Sequence, residues 1–218
     1  SGHSLRAIMR HHGRKLLGRS AAGADERFPL LVKFIEAGAD LSIQVHPPHG
    51  PPAPRGAGKT ARWSFLDGCA DPCTAICGFA DGVDPAAYRA AAGTAAGLDF
   101  LREHPVAPGD FLFVPPGQPH SIRAGTRLLE IQQTSDATFR LYDWDRLGLD
   151  GRPRELHAEQ GLAALDFESP VAAPFAPQFR ATEDGCEAAL LVHCDSFLVR
   201  ALRLPVAHLF RQRSYAYL

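Results

Sequence analysis

Pro108-Gly-Asp-Phe-Leu-Phe-Val-Pro-Pro-Gly-Gln-Pro-His120, then Ser121-Ile-Arg-Ala-Gly-Thr-Arg-Leu-Leu-Glu-Ile-Gln-Gln133, then Thr134-Ser-Asp-Ala-Thr-Phe-Arg-Leu-Tyr-Asp-Trp-Asp-Arg146 is the stretch that decides the fold. Pro-Gly-Asp before an apolar run is a turn feeding a strand, so Phe111 to Val114 reads as a strand that Pro115-Pro116-Gly117 ends. Arg127 to Gln133 and Thr138 to Tyr142 are two further strand-like runs. Along the first of these Leu128, Glu130 and Gln132 share a face; Arg140 and Tyr142 share one on the second. A Pro/Gly turn that delivers His120 between short strands suits a β-barrel presenting a metal ligand. A polar hairpin with a surface histidine is the competing reading.

Outward from this stretch, Leu41 to His46 is a strand on which Gln44 and His46 stand two apart and leave the same face. An amide oxygen and an imidazole so placed can converge on one ion, although most such pairs are solvated strand residues. Upstream, Phe28 to Ile35 is continuously apolar and predicts a buried strand. Apolar residues at Leu5, Ile8, Met9, Leu16 and Leu17 predict a helix that Gly18 stops. His49 to Gly58 is a Pro/Gly-rich loop, and Trp63 to Leu66 is a strand. Pro85 to Ala92 predicts a helix, and Leu98 to His104 a second short one. Gly58-Lys59-Thr60 lacks the upstream glycines and the strand-to-helix setting of a phosphate-binding P-loop.

With 218 residues, 45% hydrophobic and 22% charged, the chain can bury a sizeable core. A net charge of −1 gives no reason to expect nucleic acid or an anionic membrane as partner. No apolar run approaches the length of a membrane-spanning helix. Five cysteines, without a dense framework, suit a reducing cytoplasm. Cys69, Cys73 and Cys77 recur every fourth residue. They read either as a metal cluster, for which a fourth cysteine is missing, or as small apolar residues of a turn and a strand.

Taken in order, the opening stretch, Phe28-Pro-Leu-Leu-Val-Lys-Phe-Ile35, Leu41-Ser-Ile-Gln-Val-His-Pro47 and Gly58-Lys-Thr60 resemble the bacterial short form of class I mannose-6-phosphate isomerase. The resemblance covers residues 4 to 146 well and the remainder loosely. It implies an all-β fold, a cupin-type jelly-roll barrel with an N-terminal helix and a small helical insertion. It also implies a zinc-dependent aldose–ketose isomerase that interconverts mannose 6-phosphate and fructose 6-phosphate through an enediolate. Gln44, His46 and His120 would be metal ligands; Lys59 and Arg140 would be active-site residues facing a hexose 6-phosphate.

The expected organisation is a helical segment at 4–22, a metal-binding cupin domain at 28–146 with its insertion near 84–104, and a loop-rich return at 147–218. That return opens a second, apparently truncated barrel, and both ends of the chain look clipped beside the family. One departure matters most. Relatives read Lys-Thr-Glu where this chain reads Lys59-Thr60-Ala61, and that glutamate is a zinc ligand. Two neutral imidazoles and a neutral amide leave the charge of zinc uncompensated, with Asp67, Glu130 and His49 as possible substitutes. The alternative is therefore a sugar-phosphate-binding pseudoenzyme with a weakened or lost metal site. A cupin oxygenase would need a different set of histidines and a carboxylate.

Overall fold

The alternation at Arg127–Gln133 is obeyed residue by residue. Leu128, Glu130 and Gln132 are buried, whereas Leu129, Ile131 and Gln133 are partly exposed. A computed structural model of the chain describes residues 2–17, 28–48, 58–148, 150–183, 185–194 and 197–204. Residues 49–57, which make up the Pro/Gly loop from His49 up to Gly58, and Gly18 lie outside the described residues. The chain divides into two compact units, Val32–Phe175 and the pairing of Ser1–Leu31 with Ala176–Leu218.

Among the described residues, nine strands run from Leu30 into and through the first unit: β1 (Leu30–Glu36), β2 (Ile43–Val45), β3 (Ala61–Phe65), β4 (Thr74–Phe79), β5 (Leu101–Pro105), β6 (Phe111–Val114), β7 (His120–Ile122), β8 (Arg127–Gln133) and β9 (Phe139–Tyr142). They form a four-stranded sheet in the order β1-β8-β3-β6 and a five-stranded sheet in the order β5-β4-β7-β2-β9. Ala61, Trp63, Phe65, Leu112, Val114 and Leu128 from the first sheet share one core with Ala75, Cys77 and Ile122 from the second. Two antiparallel sheets closed over a common core are the cupin-type β architecture that the sequence implied.

The outer face of the five-stranded sheet has a core of its own, in which Ile43, Val45, Ile76 and Leu141 pack with Ala164. Ala164 belongs to the helix Ala158–Ala164. A second helix, Pro85–Ala91, starts as its sequence dictates, with the Asp84 carboxylate accepting from Ala86 N–H at 3.0 Å and proline in the first turn. Trp144 Nε1 donates to the Leu41 carbonyl at 2.8 Å, and Asp143 is clamped by Arg146 and Arg154. The Arg154 hydrogen bond outweighs partial burial, and with Arg146 it holds the Asp143 carboxyl below its ordinary range.

Two expectations are corrected. Leu98 to His104 is not a helix: a 3₁₀ turn at Ala95–Phe100 gives way to β5, which pairs with β4 through Ala75↔His104 and Ile76↔Glu103. Pairing to a distant strand overrides local propensity. The strand near Phe28 to Ile35 exists, but it is not buried. Val32 and Phe34 are 54% and 79% exposed because β1 is a sheet edge with only one face toward the barrel, where Ile35 joins the core.

In the second unit, the helix Leu5–Leu17 occurs where its apolar spacing places it, with Met9 and Leu17 buried. Arg180–Ala181, Glu187–His193 and Leu198–Arg203 form a separate three-stranded antiparallel sheet.

Candidate metal and substrate site

Register assembles the site. Gln44 pairs with His120 on one side and with Arg140 on the other, and His120 pairs in turn with Cys77. Directly paired residues send their side chains to the same face of a sheet. A row of Cys77, His120, Gln44 and Arg140 thus crosses the inner face of the five-stranded sheet. His46 stands two residues beyond Gln44 and joins that face.

Both imidazoles are about 1% exposed, and their Nε2 atoms lie 3.2 Å apart. Gln44 Nε2 is 3.5 Å from His120 Nε2, and rotating the carboxamide by half a turn brings its oxygen to that position. His120 Nδ1 donates to the Gln118 carbonyl at 2.9 Å, which leaves Nε2 as the lone-pair nitrogen of the neutral ring. The turn that carries Gln118 is tied to the other histidine, since Gly117 N–H donates to the His46 carbonyl at 2.8 Å. Only glycine suits that corner: its φ is +84°, and a Cβ there would lie 2.7 Å from Asp166 Cβ.

Burial keeps the two rings neutral. It pushes His120 down to about 4, against a smaller upward pull from the Gln118 carbonyl. Burial, the neighbouring His120 and the charges of Lys59 and Lys33 hold His46 well below its ordinary value. Neutral imidazoles are the metal-binding form. An ion held tetrahedrally by two imidazoles at about 2.0–2.1 Å sets their nitrogens roughly 3.3 Å apart. The observed spacing of 3.2 Å fits a metal.

The fourth corner is less well furnished. Ala61 is fully buried on β3, opposite Gln132 and on the same inward face as Trp63, whose ring meets His120 edge-on at 5.7 Å. Asp67 is exposed beyond the end of β3. Glu130 is inside, but both its oxygens are engaged: Trp63 Nε1 donates to one at 3.0 Å and Lys33 Nζ to the other at 2.7 Å. Burial raises the Glu130 carboxyl, and those two donors outweigh it, so the group stays ionised below its ordinary value. Among the described residues, no group of three or more His, Cys, Asp or Glu side chains is placed to hold a metal. The donor set is two imidazoles and an amide, with an anion nearby.

Lys59 is buried, and its Nζ donates to Thr138 Oγ1 at 3.3 Å. Thr138 Oγ1 in turn lies 3.5 Å from His46 Nδ1. Burial lowers Lys59 to about 8, more strongly than the nearby Glu130 raises it. Arg140 donates from Nη1 to the Glu155 carbonyl at 2.7 Å, and its buried Nε has no hydrogen-bond partner among the described residues. Cys77 is buried in the row, and burial lifts its thiol to about 12. Cys69 and Cys73 lie away from it in the β3–β4 connection.

Lys33 and Thr138 were not singled out in the sequence. Lys33 Nζ bridges Glu130 to Gln132 Oε1 at 3.0 Å. Its signal was present: it is the one charged residue inside Leu30-Leu-Val-Lys-Phe-Ile35, where a lysine needs an inward partner. Thr138 left no comparable mark.

A cupin-type β-barrel with a buried His–His–amide centre, a depressed lysine beside it and an arginine in the same row is the class of protein that fold and site define. No family model matches the chain. It is 42% identical over 142 residues to a probable mannose-6-phosphate isomerase, GmuF, of Bacillus subtilis, covering 63% of this chain and 44% of that one. It superposes on the crystal structure of mannose 6-phosphate isomerase from Bacillus subtilis with a TM-score of 0.79 and 30% identity, over 92% of this chain and 62% of that one. A zinc-bound mannose 6-phosphate isomerase structure, 16% identical, shares the fold alone, with a TM-score of 0.58 over 87% of this chain and 69% of that one. The chain is thus similar in sequence and in fold to mannose-6-phosphate isomerases. It spans about half the length of the curated relatives it matches, 44% to 57% of each. No helix among the described residues is long and apolar enough to cross a membrane.

Proposed function

We propose that the chain carries the metal-binding, catalytic part of an isomerase that interconverts mannose 6-phosphate and fructose 6-phosphate, with zinc held by Gln44, His46 and His120. The observation that carries this reading is the 3.2 Å meeting of two neutral, buried ring nitrogens beside an amide on one sheet face. Zinc, when bound, would supply Lewis acidity toward the oxygens of C1 and C2.

The chain's own groups divide the remaining work. Isomerisation moves a proton between C1 and C2 through an enediolate, so a group must take and return a proton near neutral pH. Lys59, lowered to about 8, exchanges protons at little cost there. Glu130 is poorly suited to that role, because both of its oxygens already accept strong hydrogen bonds. Its charge instead supports Lys59 and offsets part of the charge of a bound cation. Arg140 has a buried Nε with a donor to offer, and its planar fork suits a phosphate or a developing enediolate oxygen.

The test is a coupled assay on zinc-loaded protein with mannose 6-phosphate as substrate. Turnover that falls away on chelation and returns with zinc is expected; zinc-saturated protein without turnover would contradict the proposal. Ala61 favours a second reading, a sugar-phosphate-binding protein with a weakened metal site. Calorimetric binding of mannose 6-phosphate by zinc-saturated protein that turns nothing over would support it.

A further inference from the structure

We propose that Cys69 and Cys73 form a dithiol site that a small disulfide, such as oxidised glutathione, converts to an intramolecular disulfide. Two adjacent residues, Thr126 just before β8 and Arg127 at its first position, hold the two sulfurs. Arg127 N–H donates to Cys69 Sγ at 3.2 Å, and Thr126 Oγ1 lies 3.5 Å from Cys73 Sγ. Because Thr126 and Arg127 are neighbours in the chain, these contacts bring the two sulfurs to adjacent positions, near enough for Cys69 to act on the Cys73 thiol. Both lie in the connection between β3 and β4, where closing a short loop asks for little chain rearrangement. Cys77, the next in the series, is fully buried inside the barrel and takes no part.

Access differs between the two sulfurs and sets the order of events. Cys69 is partly exposed in the wall of a concavity of about 360 Å³, shared with Glu36, Gly68, Gly125 and Arg127. The Arg127 guanidinium, paired with Glu36, passes over Gly68, where an added Cβ would meet Nη1, and so borders the same concavity. Cys73 is buried, and burial raises its thiol. Cys69 is therefore the attacking residue and Cys73 the resolving one.

The chemistry balances. The Cys69 thiol loses its proton and the thiolate attacks one sulfur of the small disulfide, forming a mixed disulfide and releasing one small thiolate, which takes up a proton. Cys73 then loses its proton and attacks the Cys69 sulfur, forming the Cys69–Cys73 bond and expelling the second small thiolate, also protonated. Two protein thiols are oxidised by two electrons, and one small disulfide is reduced to two thiols.

The reduced protein is incubated with oxidised glutathione, denatured, alkylated and digested with trypsin. Peptide 63–89 carries cysteines 69, 73 and 77 with no internal cleavage site. The expected product is this peptide lighter by two hydrogens, with alkyl label on Cys77 alone. In Cys73→Ser the resolving thiol is gone, so glutathione should remain attached at Cys69. Label on all three cysteines of the wild type would overturn the proposal. A linkage that includes Cys77, or glutathione retained on wild-type Cys69 without the linkage, would do the same. The wild-type map decides the matter even if the variant does not fold.

Discussion

The two faces of the five-stranded sheet use the same three residues of β2 for opposite ends. Ile43 and Val45 face outward into an apolar cluster with Leu141 and Ala164, while Gln44 faces inward between His120 and Arg140. The outer face is packed closely enough to leave no room for an added atom: a Cβ on Gly161 would lie 2.6 Å from Leu141 Cδ2. The inner face buries histidines, a lysine, a glutamate and glutamines, a costly set unless each finds a partner. It does so in chains: Lys59 to Thr138 to His46 to His120 to the Gln118 carbonyl, and Lys33 to Glu130 to Trp63. One face stores stability; the other spends it on preorganised chemistry.

That contrast can be broken from either side. Lys59→Met, which keeps the length of the side chain and removes its charge, should lower turnover by about 10²–10⁴-fold in the coupled assay. Zinc content, read by elemental analysis, should stay unchanged, because Lys59 touches Thr138 rather than a ligand. Leu141→Ala on the outer face should do the reverse. It should cost about 2–5 kcal/mol in urea unfolding, while the folded fraction keeps its zinc and its turnover per zinc.

Smaller effects sharpen the inner face. Ala61→Glu supplies an anionic donor on the inward side of β3, and zinc affinity, measured in competition with a chelator, should rise at least about tenfold. An unchanged affinity would mean that another group already serves as fourth donor. Glu130→Gln removes a carboxylate that raises Lys59. The Lys59 ammonium then loses support, so its proton should leave below the present value of about 8, and the corresponding limb of the kcat/KM–pH profile should move to lower pH. Movement to higher pH would show that this limb belongs to another group.

Much of this arrangement was legible in the chain because it is written in short-range patterns. Period-two alternation put Leu128, Glu130 and Gln132 on one buried face, and Asp84-Pro85 marked a helix start. Gln44 and His46 could be placed on a common face from spacing alone. Whatever depends on which strand lies beside which was hidden. β5 looks helical until it pairs with β4, and the apolar run of β1 gives no sign that Val32 and Phe34 face solvent at a sheet edge. Thr138 reaches His46 across 92 residues of sequence, and no local signal encodes that contact. The Ala61 vacancy was visible by resemblance, but that Glu130 is already held by Lys33 and Trp63 was not.

The most direct test of the central claim is a zinc titration of metal-free wild-type protein beside His120→Ala, followed by calorimetry. One equivalent bound by the wild type, with affinity reduced at least about 100-fold in the variant, is the predicted result. Equal zinc binding by both proteins would place the metal elsewhere and contradict the assignment of Gln44, His46 and His120 as its ligands.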